Sequence, residues 1–351
     1  MIKGTRVDRS LGGSTLWKGA LSPRNISVVY LGIILFAVFS FAVPETFLTA
    51  TTLQTTLADL TVTALVALGV LIPLAAGAYD LSVVWSLGLS ATVAAKLMTD
   101  GTSPFIACVA ALACGALIGL VNGFLIARVG MNSFIATLGT GALISAAVFV
   151  VGENQPIFGI PAGFSKIGFE SAFGIPWIFY FAAVLFVIAW YILEYTPAGR
   201  YLYATGSNKE AARLAGLPTQ AYIWASLVAS GLIGASAGLV AVARVNGSTP
   251  DLPNSYLLPA FAAVFLGATQ LKQGRPNVWG TAIAVLVLAM ATKGFELLGV
   301  DIWIQQVFNG LALIVAVAVS IQADKPARTA NIDRVRRTLR TRPTPKASEP
   351  A

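Results

Sequence analysis

Gly199-Arg200-Tyr201-Leu202-Tyr203-Ala204-Thr205-Gly206-Ser207-Asn208-Lys209-Glu210-Ala211-Ala212-Arg213-Leu214-Ala215-Gly216 is a polar island between two uncharged runs, 171–193 and 214–243. A helix needs about 20 mostly apolar residues to cross a bilayer, and both neighbours are long enough. The island therefore reads as an aqueous loop of a membrane protein. Ser207 and Glu210 stand in capping-box spacing. Gly216 offers a left-handed stop, and Pro218 forbids continuation. The pattern predicts a short helix, and one of about eight residues is marginal in water. Its own membrane domain or a docked partner must hold it.

Outward from the island the same pattern repeats. The 351 residues are 56% hydrophobic and 11% charged, with a mean hydropathy of +0.78; soluble domains carry roughly 25% charged residues. Uncharged runs cover 25–44, 60–79, 81–95, 101–127, 129–152, 171–193, 214–243, 252–271, 276–292 and 302–323. The fold expected is an all-α polytopic membrane protein of about ten transmembrane helices. The weakest runs are 81–95, which is short, and 252–271, which holds Pro253 and Pro259. The expected organisation is a tail at 1–26, a transmembrane domain at 27–321 and a basic tail at 322–351. Within the transmembrane domain lie the island's loop, 195–221, and an exterior loop, 153–176.

Charge sets the expected orientation. Lys96, Lys166, Arg244 and Lys293 fall to one side, and the other 19 of 23 Lys and Arg to the other. The positive-inside bias then places both termini and the island in the cytoplasm. The net charge of +8 follows from topology and requires no nucleic-acid partner. The tail around Arg334–Arg342 is either plain positive-inside chain or a contact with anionic headgroups of the lipid bilayer. Residues 1–24 are too polar, and the run after them too long, for a cleavable signal.

Several chemistries are excluded. The chain has no histidine, which removes Ser-His-Asp and Cys-His catalysis and the usual metal clusters. Cys108 and Cys114 lie on different faces of one span. No Gly-x-x-x-x-Gly-Lys-Ser/Thr phosphate loop occurs. Asp59, Asp80 and Glu296 are the few carboxylates in or beside the spans, so an ion-coupled carrier is a poor fit. The expectation is a chain that performs no covalent chemistry of its own, not an enzyme, with no catalytic or metal site; if it transports uphill, the energy comes from elsewhere.

Within the membrane domain, Gly77 can break a helix and Asp80 can cap the next. This break is either a surface turn or an intramembrane interruption. Gly115, Gly119 and Gly123 form a ridge that permits close helix packing, and Gly234 and Gly238 repeat the spacing. Asn122 beside the ridge should face protein or a cavity. The loop at 153–176 is a candidate for a short interfacial helix and a landing surface, or is a plain connector.

The chain resembles the permease subunits of bacterial ABC importers for simple sugars, the ribose-type family, over nearly all of 55–321. Gly77-Ala78-Tyr79-Asp80-Leu81-Ser82-Val83 is similar to the family's Gly-Gly-Ile-Asp-Leu-Ser-Val. Gly119-Leu120-Val121-Asn122-Gly123 and Phe134-Ile135-Ala136-Thr137-Leu138-Gly139-Thr140 resemble two further motifs. The island resembles its cytoplasmic loop, and Leu266-Gly267-Ala268-Thr269 through Gly274-Arg275 a fourth segment. Ala78, Tyr79, Val84, Ala268, Gln273 and Pro276 depart from the pattern, so ribose is not carried over as the substrate.

The resemblance implies a multi-pass protein of the bacterial inner membrane. It implies a second permease subunit, identical or different, two ATPase subunits that bind ATP and Mg, and a periplasmic sugar-binding protein. No cofactor is expected on this chain. The coupling helix expected to seat in the ATPase comprises Gly206, Ser207, Asn208, Lys209, Glu210, Ala211, Ala212, Arg213, Leu214, Ala215 and Gly216. Its small face would be Ala211, Ala212 and Ala215, with Lys209 and Arg213 meeting acidic groups. Candidates for the translocation pathway are Asp80, Ser82, Asn122, Phe134 and Thr137. Competing readings are a permease for a branched-chain amino acid or another neutral solute, and an ATP-independent carrier.

Overall fold

The computed structural model describes residues 27–271 and 274–319. The expected tails at 1–26 and 322–351, and Lys272 and Gln273, lie outside the described residues. In chain order the helices are α1 (Ser27–Ala42), the single turn α2 (Pro44–Phe47), α3 (Ala50–Ala75), α4 (Val83–Thr99) and α5 (Pro104–Gly123), which continues as a π turn over Phe124–Arg128. Then come α6 (Ser133–Val151), α7 (Ala162–Phe169), α8 (Trp177–Tyr195), α9 (Pro197–Ser207) and α10 (Lys209–Leu214). The last are α11 (Thr219–Val245), α12 (Asn254–Ala268), α13 (Val278–Leu297) and α14 (Ile302–Val319).

One apolar helix falls on each of the ten uncharged runs. Seven (α3, α5, α6, α8, α11, α13 and α14) are long and apolar enough to cross a membrane, while α1, α4 and α12 are shorter. Among the described residues the sheet content is two antiparallel scraps: β1 (Ile157–Phe158) with β4 (Gly247–Ser248), and β2 (Ser171–Ala172) with β3 (Ile175–Pro176).

The helix boundaries follow local chemistry more than charge. α3 begins at Ala50 because the Thr49 hydroxyl accepts the Thr52 amide at 3.1 Å, a polar N-cap. Asp59 lies inside that helix, not at its edge, since Arg244 meets its carboxylate at 2.9 Å. α12 forms with Pro253 just outside it and Pro259 in its second turn. There α3 and α13 pack against it, a setting in which a broken backbone bond is tolerated.

α11 is the central post, packed on α3, α4 and α5. Two glycine faces let it approach its neighbours. A Cβ on Gly115 would meet the Gly231 carbonyl and, at 2.6 Å, the Ala235 Cβ. A Cβ on Gly119 would lie 2.5 Å from the Leu227 oxygen, and one on Gly123 would enter the Trp224 ring. On α11 itself, Gly234 faces the Val83 carbonyl, and Gly238 faces that of Leu87. The small-residue spacings thus bring backbones into contact without lipid between them. Gly119→Leu should destabilise the detergent-solubilised chain by ~1–3 kcal/mol through overpacking, read as a lower thermal midpoint. Gly139→Leu, where an added Cβ meets nothing within 4 Å, should leave the midpoint in place. Equal shifts would remove the special role of the ridge.

Candidate functional site

The polar island folds as two helices, α9 and α10, where the sequence reading had one. Pro197 opens α9 at a position that needs no amide donor, and the Thr196 hydroxyl accepts the Gly199 amide at 3.4 Å. The expected capping box of Ser207 and Glu210 does not form. Ser207 is still inside α9, where its hydroxyl donates back to the Tyr203 carbonyl at 2.8 Å, as serine does within a helix. Asn208 is the residue in extended conformation, and its side-chain oxygen caps α10 by accepting the Ala211 amide at 3.0 Å. Glu210 instead pairs with Arg213 at 3.0 Å.

α10 is six residues long. Its end follows the sequence reading: Gly216 takes φ +84°, with the Leu217 amide bonded to Ala212 O and the Gly216 amide to Arg213 O. That pair of bonds is a Schellman stop. The expected small face divides, since Ala212 is buried against the protein while Ala211 and Ala215 are exposed. Lys209 is exposed beside them. Leu214 projects with 84% of its surface free.

α9 joins α10 to two other places. Gly206 lies against the α3 terminus so closely that a Cβ there would strike the Ala75 carbonyl and come within 2.9 Å of the Gly77 amide. One turn earlier, the Tyr203 hydroxyl donates to the Pro276 carbonyl at 2.8 Å. The Arg275 guanidinium covers the Tyr203 ring at 3.5 Å. Burial pushes the Tyr203 phenol up to about 12, only partly opposed by Arg275. Tyr203 therefore stays a neutral hydrogen-bond donor at physiological pH.

The chain break after α3 is a second Schellman stop. Gly77 adopts φ +79°, the Ala78 amide reaches Pro73 O at 2.9 Å, and the Gly77 amide reaches Leu74 O at 3.0 Å. Four of the five residues singled out for the pathway meet just beyond it. Asp80 accepts both the Ser82 amide at 2.9 Å and the Ser82 hydroxyl at 2.6 Å. Ser82 in turn accepts the Asn122 amide at 2.7 Å, and Asn122 accepts the Thr140 hydroxyl at 2.7 Å. Thr137 accepts the Leu81 amide at 3.2 Å and donates to Ser133 O at 2.8 Å. The Ser133 hydroxyl holds the Tyr79 amide at 3.0 Å. Asp80, Ser82, Asn122 and Thr137 are all buried. Phe134 stands apart, half-exposed.

Thr140 and Ser133 went unread in the sequence. Thr140 closes the Phe134–Thr140 motif and could have been found there; Ser133 carries no signal beyond its place before it. As found, the network is closed, and each hydroxyl faces another protein group.

The opposite end of the bundle is built differently. The loop at 153–176 contains α7, whose Gly168 abuts the Ala243 carbonyl at the end of α11. The Arg244 guanidinium lies 5.6 Å from the Phe169 ring centre. Phe158, Ile167, Phe169 and Phe173 are left exposed. Lys96, Lys166, Arg244 and Lys293 all lie toward this end, while Arg128, Arg200, Lys209, Arg213 and Arg275 lie toward the α10 end. The cap assignment has a direct check. Asn208→Ala should weaken α10 by ~1 kcal/mol, seen as faster amide exchange over 209–214, whereas Ser207→Ala should leave that exchange unchanged. The reverse ranking would restore the capping box.

The family model described as the branched-chain amino acid transport system permease component matches residues 52–317. The ribose import permease protein of Escherichia coli (strain K12) is 33% identical over 294 residues, covering 82% of this chain and 90% of the relative. The D-allose transport system permease protein of the same strain is 29% identical over 316 residues, covering 90% and 97%. The L-arabinose ABC transporter permease protein of Azospirillum brasilense is 31% identical over 309 residues, covering 88% and 89%. No solved structure matches.

Proposed function

This chain belongs to the family of the branched-chain amino acid transport system permease component, and from that premise we propose that it is the membrane-spanning permease subunit of an ATP-binding-cassette importer for a monosaccharide. It is a multi-pass protein whose expected location in a bacterium is the inner membrane. The sugar assignment follows the relatives, which are permeases for ribose, allose and arabinose. A soluble binding protein delivers the sugar to the end that carries α7. ATPase subunits, which bind ATP and Mg, engage the end that carries α10. Two permease chains with two ATPases would complete the assembly.

The observation that carries this reading is the form of α10. A six-residue helix capped at both ends buries Ala212 against its own chain but leaves Leu214 almost wholly exposed. Seated in a partner's cleft, Leu214 would be buried, worth ~1.5–3 kcal/mol relative to exposure. Ala211 and Ala215 would let the partner's wall approach closely. ATP-driven movement of that partner would then reach the membrane domain through α9, at Gly206 and at Tyr203.

The substitution Ala215→Arg should abolish ATPase association and lower sugar uptake in proteoliposomes at least tenfold, with the chain still monodisperse on gel filtration. Normal association and uptake would remove α10 from the coupling role. Uptake that persists after ATP depletion would replace the importer by a carrier working alone.

A further inference from the structure

A groove of about 470 Å³ runs down the side of the bundle between α1, α2, α3 and α13. α1 leans on α13, and the single turn α2 bridges it to α3, so the space under that elbow stays open. Phe36 and Phe47 wall it on one side, Leu53 and Leu57 on another, and Leu286 and Met290 on the third. We infer that this groove binds one phospholipid, with an acyl chain in the groove and a phosphoethanolamine headgroup at the Lys293–Glu296 pair. The inference is independent of which solute the chain carries.

The groove has the depth of one leaflet. It follows α3 from Thr49 at the mouth to Leu60, a run of ~16 Å at the helical rise per residue. That is about half of a hydrocarbon core of ~30 Å. Its walls are fixed in place. A Cβ on Gly32 of α1 would lie 2.8 Å from a Val287 methyl, and one on Gly294 of α13 would enter the Phe39 ring. The Phe36 and Phe39 rings each lie 5.7 Å from that of Phe47. Left unfilled, a gap held open in this way forfeits the dispersion contacts of its lining.

The hydrogen bonds of the lining select the occupant. Its hydroxyls are those of Thr49, Thr52 and Thr56, and each is already engaged. Thr49 and Thr52 donate to Thr46 O at 3.0 and 2.7 Å, and Thr56 donates to Thr52 O at 2.6 Å. A polar solute would lose its water there for no new donor, whereas hydrocarbon needs none. Ile33, Ile34 and Phe41 of α1 are exposed, so the groove lies on the face of the bundle that meets lipid.

The mouth supplies partners for the headgroup. Lys293 lines the groove close to the end of α13 and pairs with Glu296 at 3.0 Å. An ammonium has three donors, so Lys293 keeps capacity for a phosphate. Glu296 is the more exposed partner, at 59% against 13%, and can accept from a primary ammonium. A choline headgroup has no N–H to donate, and a glycerol headgroup brings no cation to Glu296. Lipid tails are as apolar as leucine, so preference over the surrounding bilayer resides in this pair.

The test places the full chain in nanodiscs of dioleoyl phosphatidylethanolamine, phosphatidylcholine and phosphatidylglycerol in equal parts, then transfers it to detergent for native mass spectrometry. One lipid should remain per chain, with the ethanolamine form at least threefold above its share. Lys293→Gln combined with Glu296→Gln should return the retained lipid to the bilayer's proportions. Leu53→Trp and Met290→Trp fill the groove from different walls, and each should reduce the adduct at least fivefold. Ile34→Trp, on the outer face of α1, should leave it in place. If gel filtration shows one filling variant to be misfolded, the other decides. The site is overturned if no lipid is retained, or if the native chain's adduct mirrors the bilayer or survives a well-folded filling variant. Ethanolamine preference that persists in the double Gln variant, or a polypeptide found in the lipid's place, overturns it too.

Discussion

A helix that stops inside an apolar bundle strands its last carbonyls, and strands the first amides of the helix that follows. At the break after α3 the protein supplies partners itself, even though Gly77 and Tyr79 there are exposed. The break between α3 and α4 is shaped by this demand. Gly77 turns the α3 terminus back on itself, and the amides of Tyr79, Leu81 and Ser82 are taken up by Ser133, Thr137 and Asp80. The donors then run in one direction, from Thr140 through Asn122 and Ser82 to the Asp80 carboxylate. Such a chain strengthens along its length in a low dielectric. It also fixes where α5 and α6 stand relative to α4, because each contributes one link.

That fixed junction gives α9 something to act on. α9 meets the break through Gly206 and the α12–α13 turn through Tyr203. These contacts lie three residues apart on one short helix, so a movement of α10 cannot reach one without the other. The Gly206 contact is backbone against backbone and allows no slack. The Tyr203 contact combines a hydrogen bond with a guanidinium over the ring, which permits sliding. On the proposed function, the break would be the stiff end of the linkage and the α12–α13 turn the compliant one.

Much of this was legible in the sequence because a bilayer imposes a simple rule. Uncharged runs of sufficient length had to become helices, and each did. The glycine spacings marked contacts that any side chain would have blocked. What escaped was decided by partners distant in sequence. Asp59 read as a boundary because nothing nearby announces Arg244, 185 residues away. Ser207 read as a cap because its spacing from Glu210 is right, yet capping needs an extended backbone, and that conformation falls to Asn208. α9 went unseen because its polar residues mask a helix held by burial of Leu202 and Tyr203.

Polarity at depth was the signal used to pick out Asp80, Ser82, Asn122 and Thr137. Polarity alone cannot separate residues that hold a fold together from residues that await a solute. The distinction lies in satisfaction. Around Asp80 the links are short and continuous, and a solute reaches those groups only if the junction first opens. At the other end of the bundle the cations Arg244 and Lys293 are already neutralised by Asp59 and Glu296, whose carboxylates are the more exposed partners. The Arg244–Asp59 pair joins α11 to α3 across 185 residues, so no local window of sequence contains it.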